Sequence, residues 1–359
     1  MKKSIGAVLL FGVFLSGMLF GSDVKLIEPS EAIRLIGNKD VVFVSGDSAD
    51  SYKNNHIVGS VEMYAHHLHH SDIMGSMLCA PLYRCPEEAQ EYIRSKGIKN
   101  NQMIIAYDNF LGPNATGVYS FFESYGHKDI RVLNGGPDGI KALDPNQQVF
   151  DTLKAERKEI TRQIKEAKKA ERIDEEKRLS SEAEGIKAKM NMLEPKLLVQ
   201  GGKEKEHEKS DYLLDKNSFN LDYVADKEEV KKAMDDILEN GKESKFAIID
   251  TRSMEEIIGE KKIDNVARGG HIPGAKFIEW KNITDMKKKK SFRPLADMQK
   301  VFDKVGITKD QTIYAYSHFG AGGGSYIITA LRLLGYEKVK VFTGSWDVWG
   351  NDMNLPIRR

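Results

Sequence analysis

The chain reads as an α/β protein with two doubly wound parallel-sheet domains and a charged helical insert between them. Three observations carry this. Strands alternate with helices, as in a parallel sheet covered on both faces. The order also recurs: GIKNNQMIIAYD (Gly97 to Asp108) matches GITKDQTIYAYS (Gly306 to Ser317), SYGHKDIRVLNGG (Ser124 to Gly136) matches LLGYEKVKVFTGS (Leu333 to Ser345), and HIVGS (His56 to Ser60) matches HIPGA (His271 to Ala275). Three matches in one order mean one unit used twice. Between the copies, from about Asp151 to Ser210, about half the residues are charged, with Glu and Lys interspersed as on a solvated helix.

Residues 1–22 lie outside this pattern. Lys2 and Lys3 precede an apolar run from Ile5 to Phe20, and Gly21-Ser22 offers a small-residue cleavage site. This is a secretory signal. The other reading is an uncleaved anchor, for which the run is short against the roughly 20 residues of a bilayer span. Either way the remainder is expected to be exported, and periplasmic in a Gram-negative cell.

The first domain is assigned residues 23–145. Val41 to Val44 reads as a buried strand, and Met103 to Tyr107 as the strand before the loop DNFLGPNATG; a helix spans Val118 to Tyr125, and Ile130 to Leu133 is a further strand. Cys79 and Cys85, the chain's two cysteines, bracket CAPLYRC. In an oxidising compartment such a pair reads as a disulfide, or else as a redox or sulfur-carrying pair. His66, His67, His69 and His70 include helical neighbours and, with His56, make a weak metal candidate. No carboxylate or cysteine completes a known ligand spacing, so a solvated polar face is the plainer reading and no metal is assigned.

The insert, residues 146–216, carries a narrow apolar stripe of Leu153, Ile160, Ile164, Ala167 and Ile173. A second helix is expected to start after Glu182 and to end at Pro195. An antiparallel helical pair, one long coiled-coil arm and a disordered linker are the alternatives. The insert is also a possible docking arm for a protein partner.

The second domain, residues 217–359, places Phe246 to Ile249 as its first strand and helices over Lys227 to Leu238 and Met298 to Val305. Its centre is TIYAYSHFGAGGGSYIITALRLLGY, Thr312 to Tyr336. Ile313, Tyr314 and Tyr316 are β-formers, four glycines follow by Gly324, and Tyr326, Ile327, Ala330, Leu331 and Leu334 recur at helical spacing. A glycine-rich loop opening onto a helix presents free N–H groups and the positive end of the helix dipole, an anion cradle. The loop ends in Gly323-Gly324-Ser325, which is not a Walker pattern, and the dinucleotide fingerprint is absent. No cofactor is expected. The net charge of +1 gives no electrostatic case for a nucleic-acid partner.

IIDTRS, GGHIPGA, the loop at Ser317 and GYEKVKVFTGSWDVWG, with HIVGS, YDNF and GHKDIRVLNGG in the first copy, resemble the rhodanese family of sulfurtransferases in its tandem form. The resemblance implies two rhodanese-like domains. It also implies a cysteine opening the second loop, whose thiolate takes sulfane sulfur from a donor such as thiosulfate and passes it to a thiophilic acceptor. The cradle suits that chemistry, because N–H groups and the helix dipole lower a thiol pKa and hold a persulfide anion.

In this sequence position 317 is serine, which cannot form a persulfide. Asp108 stands at the equivalent place in the first domain, as is usual for an inactive copy. The loop continues His318, Phe319, Gly320, Ala321, Gly322 and Gly323 rather than with basic residues or threonine. Arg252 of the Asp-x-Arg motif is expected on the substrate side. Four residues later Glu256 replaces a second arginine, and there a carboxylate is expected to repel an anionic donor. The sequence thus points to an exported, catalytically degenerate tandem that binds a small sulfur-containing anion or a thiol-bearing protein. The alternative is an active sulfurtransferase using Cys79 or Cys85 as carrier.

Overall fold

The computed structural model describes residues 24–69, 85–109, 112–193, 197–318 and 322–359. The signal-like segment, His70, Cys79, Pro195 and Phe319 to Ala321 lie outside the described residues, as does the side chain of His69.

The first domain runs β1 (Leu26–Ile27), α1 (Pro29–Ala32), β2 (Val41–Ser45), α2 (Ala49–Asn54), β3 (His56–Ile57), β4 (Val61–Glu62), α3 (Ala65–His69), α4 (Pro86–Ser95), β5 (Met103–Tyr107), α5 (Pro113–Ser124), β6 (Ile130–Leu133) and α6 (Gly136–Leu143). The insert holds α7 (Pro145–Lys169), α8 (Ile173–Leu193) and β7 (Val199–Gln200). The second domain runs β8 (Val224–Ala225), α9 (Lys227–Asn240), β9 (Phe246–Asp250), α10 (Met254–Ile257), β10 (Lys276–Phe277), α11 (Leu295–Lys304), β11 (Thr312–Tyr316), α12 (Gly323–Leu333), β12 (Val339–Phe342) and α13 (Ser345–Asn351).

Both domains form the predicted parallel sheet. The orders are β1-β6-β5-β2-β4 and β8-β12-β11-β9-β10, one topology built twice. The strand before each loop, β5 or β11, is therefore the middle strand and is buried on both faces, which explains the near-continuous apolar runs MIIAY and TIYAY. The copies share their framework bonds too. Tyr107 Oη accepts the Ile57 N–H and Tyr316 Oη the Ile272 N–H, each at 3.1 Å. His56 Nδ1 lies 3.0 Å from the Tyr52 carbonyl and His271 Nδ1 2.9 Å from that of Ile257. His56 is thus a buried framework residue stacked on Tyr52, which separates it from the metal reading.

The insert is a helical hairpin. Leu179, Ala183 and Ile186 of α8 close on Ile160 and Ala167 of α7, with Leu153, Ile164 and Met190 beside them. The second helix starts at Ile173, ten residues before the expected start. Its apolar stripe includes Leu179, which the charges around it obscured, and Gly185 sits inside the helix. After the hairpin, β7 pairs antiparallel with β3 and ties the chain back to the first domain.

Helices α5 and α12, each following a loop, pack against each other across the domain boundary. Arg332 makes two 2.7 Å bonds to the Glu123 carboxylate, and the Tyr223 hydroxyl donates to the Ser120 carbonyl. From the other side, the Ser291 N–H donates to Asn134 Oδ1 at 3.0 Å. This contact brings the two loop-helix junctions side by side. Among the described residues no helix is long and apolar enough to cross a membrane.

Candidate functional site

The site begins at the carboxyl end of β11, where parallel sheets place ligands. Ser317 is the first residue beyond that strand and is 5% exposed. Its N–H donates to Ser345 Oγ at 3.2 Å. Its carbonyl accepts the Trp346 N–H, and the His318 carbonyl accepts the Asp347 N–H, both at 3.0 Å. The Gly-Ser-Trp motif thus anchors the loop's first two residues on the start of α13. On the other side, Thr251 donates its N–H (3.0 Å) and hydroxyl (2.9 Å) to the Tyr316 carbonyl. A Cβ at Gly323 would meet Thr251 Oγ1 at 2.4 Å and Ser317 Cβ at 3.4 Å, and Gly322 has φ +84°, so glycine is required at both positions.

A cavity of about 430 Å³ opens over Ser317. The second domain supplies Thr251, Glu256, Trp280 and His318 to its walls, with Lys261 and Lys281; the first domain supplies Tyr64, His66, Pro113 and Asn114. A Cβ at Gly322 would lie 3.9 Å from His66 Nε2, so His66 stands across the cavity from the loop. A larger cavity of about 650 Å³ lies at the opposite end of the sheet, beside Phe246 and Gln311 at the amino ends of β9 and β11, away from the loop.

Arg252 lines the cavity, but its guanidinium charge is engaged elsewhere. It bonds Asp250 through Nε (3.0 Å) and Nη2 (2.6 Å), donates from Nη2 to the Gly270 carbonyl (2.7 Å), and lies 4.4 Å from the Trp346 ring centroid. Tyr316 Oη donates to the same aspartate at 2.5 Å. Arg252 is thereby a buried structural buckle at the wall of the cavity.

Glu256 is held at the cavity by two partners. Its Oε1 lies 2.8 Å from His318 Nδ1, an ion pair when the imidazole is protonated. Its Oε2 accepts from the Ser253 hydroxyl (2.9 Å) and N–H (3.3 Å), completing a capping box at the start of α10. Burial alone would raise its pKa, but the His318 contact and the Ser253 bonds outweigh burial and hold it at about 2. Glu256 is therefore ionised and partnered, and it turns His318 into the same cavity as Ser317. Adjacent loop residues ordinarily face apart, and nothing local in the sequence announced this pair.

In the first domain the same loop is filled from within. Asp108, 1% exposed, accepts the Gly112 N–H on Oδ1 (2.8 Å) and the Asn114 and Ala115 N–H groups on Oδ2 (2.7 and 2.9 Å). The cradle thus binds an anion, and the anion is the chain's own carboxylate. Two residues beyond β2, where the second domain has Arg252, stands Asp47, fully buried. Asp47 Oδ2 accepts the Asn109 N–H at 2.8 Å, while Oδ1 has no hydrogen-bond partner. Burial and the Asp108 charge push its carboxyl up to about 7. Sequence reading missed Asp47, although alignment of the two strand ends identifies the position.

Cys85 is buried at the start of α4 and disulfide-bonded; the only other cysteine is Cys79, outside the described residues. Of the weak metal candidates, His66 faces the cavity and His67 packs edge-on against Tyr64. Among the described residues no group of three or more His, Cys, Asp or Glu could hold a metal ion.

Two parallel-sheet units of one topology, each with a loop between its middle strand and the following helix, define a tandem α/β protein. The rhodanese-like domain model matches residues 28–143 and 227–352, more than half of the chain, and the chain belongs to that family. A putative thiosulfate sulfurtransferase of Haloferax volcanii is 23% identical over 278 residues, 76% of this chain and 74% of that protein. The sulfur carrier protein TtuD of Thermus thermophilus is 33% identical over 141 residues, 37% of this chain and about half (49%) of that relative's length. Among solved structures, the 3-mercaptopyruvate sulfotransferase SseA of Escherichia coli shares the fold at 18% identity and TM-score 0.59, covering 90% of this chain and 99% of that one. An anaerobic ergothioneine biosynthesis enzyme of Chlorobium limicola, solved with trimethyl histidine, shares it at 18% identity and TM-score 0.61, covering 93% and 70%.

Proposed function

We propose that this chain is an exported tandem rhodanese whose second domain binds a small sulfur-containing anion, or the sulfur-bearing end of a thiol protein, without forming a persulfide of its own. One observation carries the reading: the residue at the head of the open cradle is Ser317, whose hydroxyl is far less acidic than a thiol and cannot carry sulfane sulfur. The filled cradle at Asp108 supports it, since the loop of the first domain offers neither a thiol nor an open anion site. Export rests on the basic and apolar residues 1–22 and suits the disulfide-bonded Cys85.

The names of the relatives support a second reading, an active sulfurtransferase that carries sulfur on Cys79 or Cys85. Incubation with thiosulfate and cyanide separates the two. The first reading expects no thiocyanate from the wild type. Thiocyanate formation that is lost in Cys79→Ser and Cys85→Ser would establish the second. The Ser317→Cys variant should restore the missing step: its thiolate attacks the outer sulfur of thiosulfate, a new S–S bond forms, the thiosulfate S–S bond breaks and sulfite leaves. Intact-protein mass should then rise by one sulfur atom. Activity that survives loss of both cysteines and disappears in Ser317→Ala would refute this chemistry.

A further inference from the structure

The two cradles differ in where their anion comes from. In the first, the Asp108 side chain reaches the N–H groups; in the second, Ser317 is shorter and neutral and supplies no anion, so on the anion-binding reading the ligand is external. The open cavity is poorly balanced for that task. Lys281 is paired 3.1 Å from Glu279, and Arg252 is engaged by Asp250. Lys261 and Glu256 remain, of opposite sign and lining the same cavity. An incoming anion therefore meets no net positive charge from these groups unless His318 carries a proton.

We propose that the cavity takes up a small sulfur oxyanion together with one proton, which the His318 imidazole holds against Glu256. This rests on the anion-binding reading above and adds its proton linkage. Glu256 stays ionised, so the proton goes to the imidazole 2.8 Å from it. The other groups around His318 do not replace it. His66 lines the same cavity beside Tyr64 but is not the imidazole beside Glu256, and the His318→Gln variant below separates the two; Asp347 on α13 holds the His318 carbonyl with its N–H while Asp347 Oδ1 accepts from Asn265 at 2.8 Å. Glu256 is a positioning residue here: it fixes the ring at the cavity wall, 2.8 Å from Nδ1.

Thiosulfate is the probe. Its affinity for the full-length protein, measured by titration calorimetry, should fall roughly tenfold or more from about pH 6 to about pH 8. Near neutrality the apparent binding heat should depend on the ionisation enthalpy of the buffer, reporting about one proton taken up. In His318→Gln the affinity should be low and the pH profile flat. In Glu256→Gln, which keeps the capping box, affinity at the alkaline end should rise towards the wild-type acidic value. Should either variant misfold, the His318 ring resonance of the wild type gives the same answer: thiosulfate should move its titration midpoint upward. Binding with a flat profile, or with an unmoved midpoint, overturns the proton linkage and leaves the anion reading standing. Absence of thiosulfate binding at every pH overturns both.

Discussion

The filled cradle of the first domain makes a quantitative demand. In Asp108→Ala three N–H groups, those of Gly112, Asn114 and Ala115, lose a charged acceptor inside a buried loop. Hydrogen bonds to charged groups contribute about 1.5–3 kcal/mol each, so the gross loss is roughly 5–9 kcal/mol. Two effects offset it. The carboxylate no longer has to be desolvated, and Asp47 loses the charge that raises its pKa. A net destabilisation of about 3 kcal/mol is the expected remainder.

All three tryptophans, Trp280, Trp346 and Trp349, lie in the second domain. In urea unfolding, far-ultraviolet circular dichroism should therefore show the loss more fully than tryptophan fluorescence does. Formate should rescue the variant by occupying the vacated cradle, by about 1.4 kcal/mol at ten times its dissociation constant, and should leave the wild type unchanged beyond a chloride control. A shift under about 1 kcal/mol, or rescue by chloride equal to that by formate, would refute the account of Asp108 as an internal anion.

Two further predictions test the surroundings of the site. Asp47 titrates near 7 in the folded protein against an ordinary 3.8, so between those values the native state holds a proton that the unfolded chain releases. Its contribution to stability is therefore full below about pH 4, is lost as pH rises to about 7, and is level above that. Asp47→Asn should flatten this part of the stability profile measured by urea unfolding; an unchanged slope would place the proton elsewhere. At the domain boundary, Arg332→Met leaves Glu123 buried without its bidentate partner and should cost about 3 kcal/mol, while adding Glu123→Leu should recover much of it. Equal stability of the single and double variants would show that the pair does not hold α5 to α12.

What the sequence showed follows from what repeats locally. The strands around Asp108 and Ser317 were legible because their apolar runs, flanking turn residues and following glycines all lie within a few dozen residues. The matching HIVGS and HIPGA segments preserve the same histidine-to-carbonyl contact in both domains. What the sequence hid depends on approach in three dimensions. Arg252 is answered by Asp250 and by a tryptophan 94 positions further on, so its motif alone suggested an available cation. Glu256 was legible as a carboxylate, but its meaning changed once His318 was found 2.8 Å away. The start of α8 was misplaced because Leu179 stands among charged residues and gains its significance only against α7.

The pairing of a closed cradle with an open one gives the first domain a role without chemistry. Because α5 and α12 pack together, the closed loop abuts the first turn of α12: a Cβ at Gly112 would meet the Tyr326 ring at 2.4 Å, and Thr116 Oγ1 lies 3.4 Å from Ser325 Oγ. The same segment contributes Pro113 and Asn114 to the cavity wall over Ser317. The Asn114 N–H is one of the three that Asp108 holds, so the internal anion fixes backbone in the cavity wall, which the proposed ligand would meet. Filling the first cradle therefore stiffens one wall of the second, and a change at Asp108 should reach thiosulfate affinity through Asn114 even though Asp108 itself stands outside the cavity lining. In this fold the domain whose loop is filled by its own carboxylate contributes to the cavity of its twin, through the two helices that pack at their boundary.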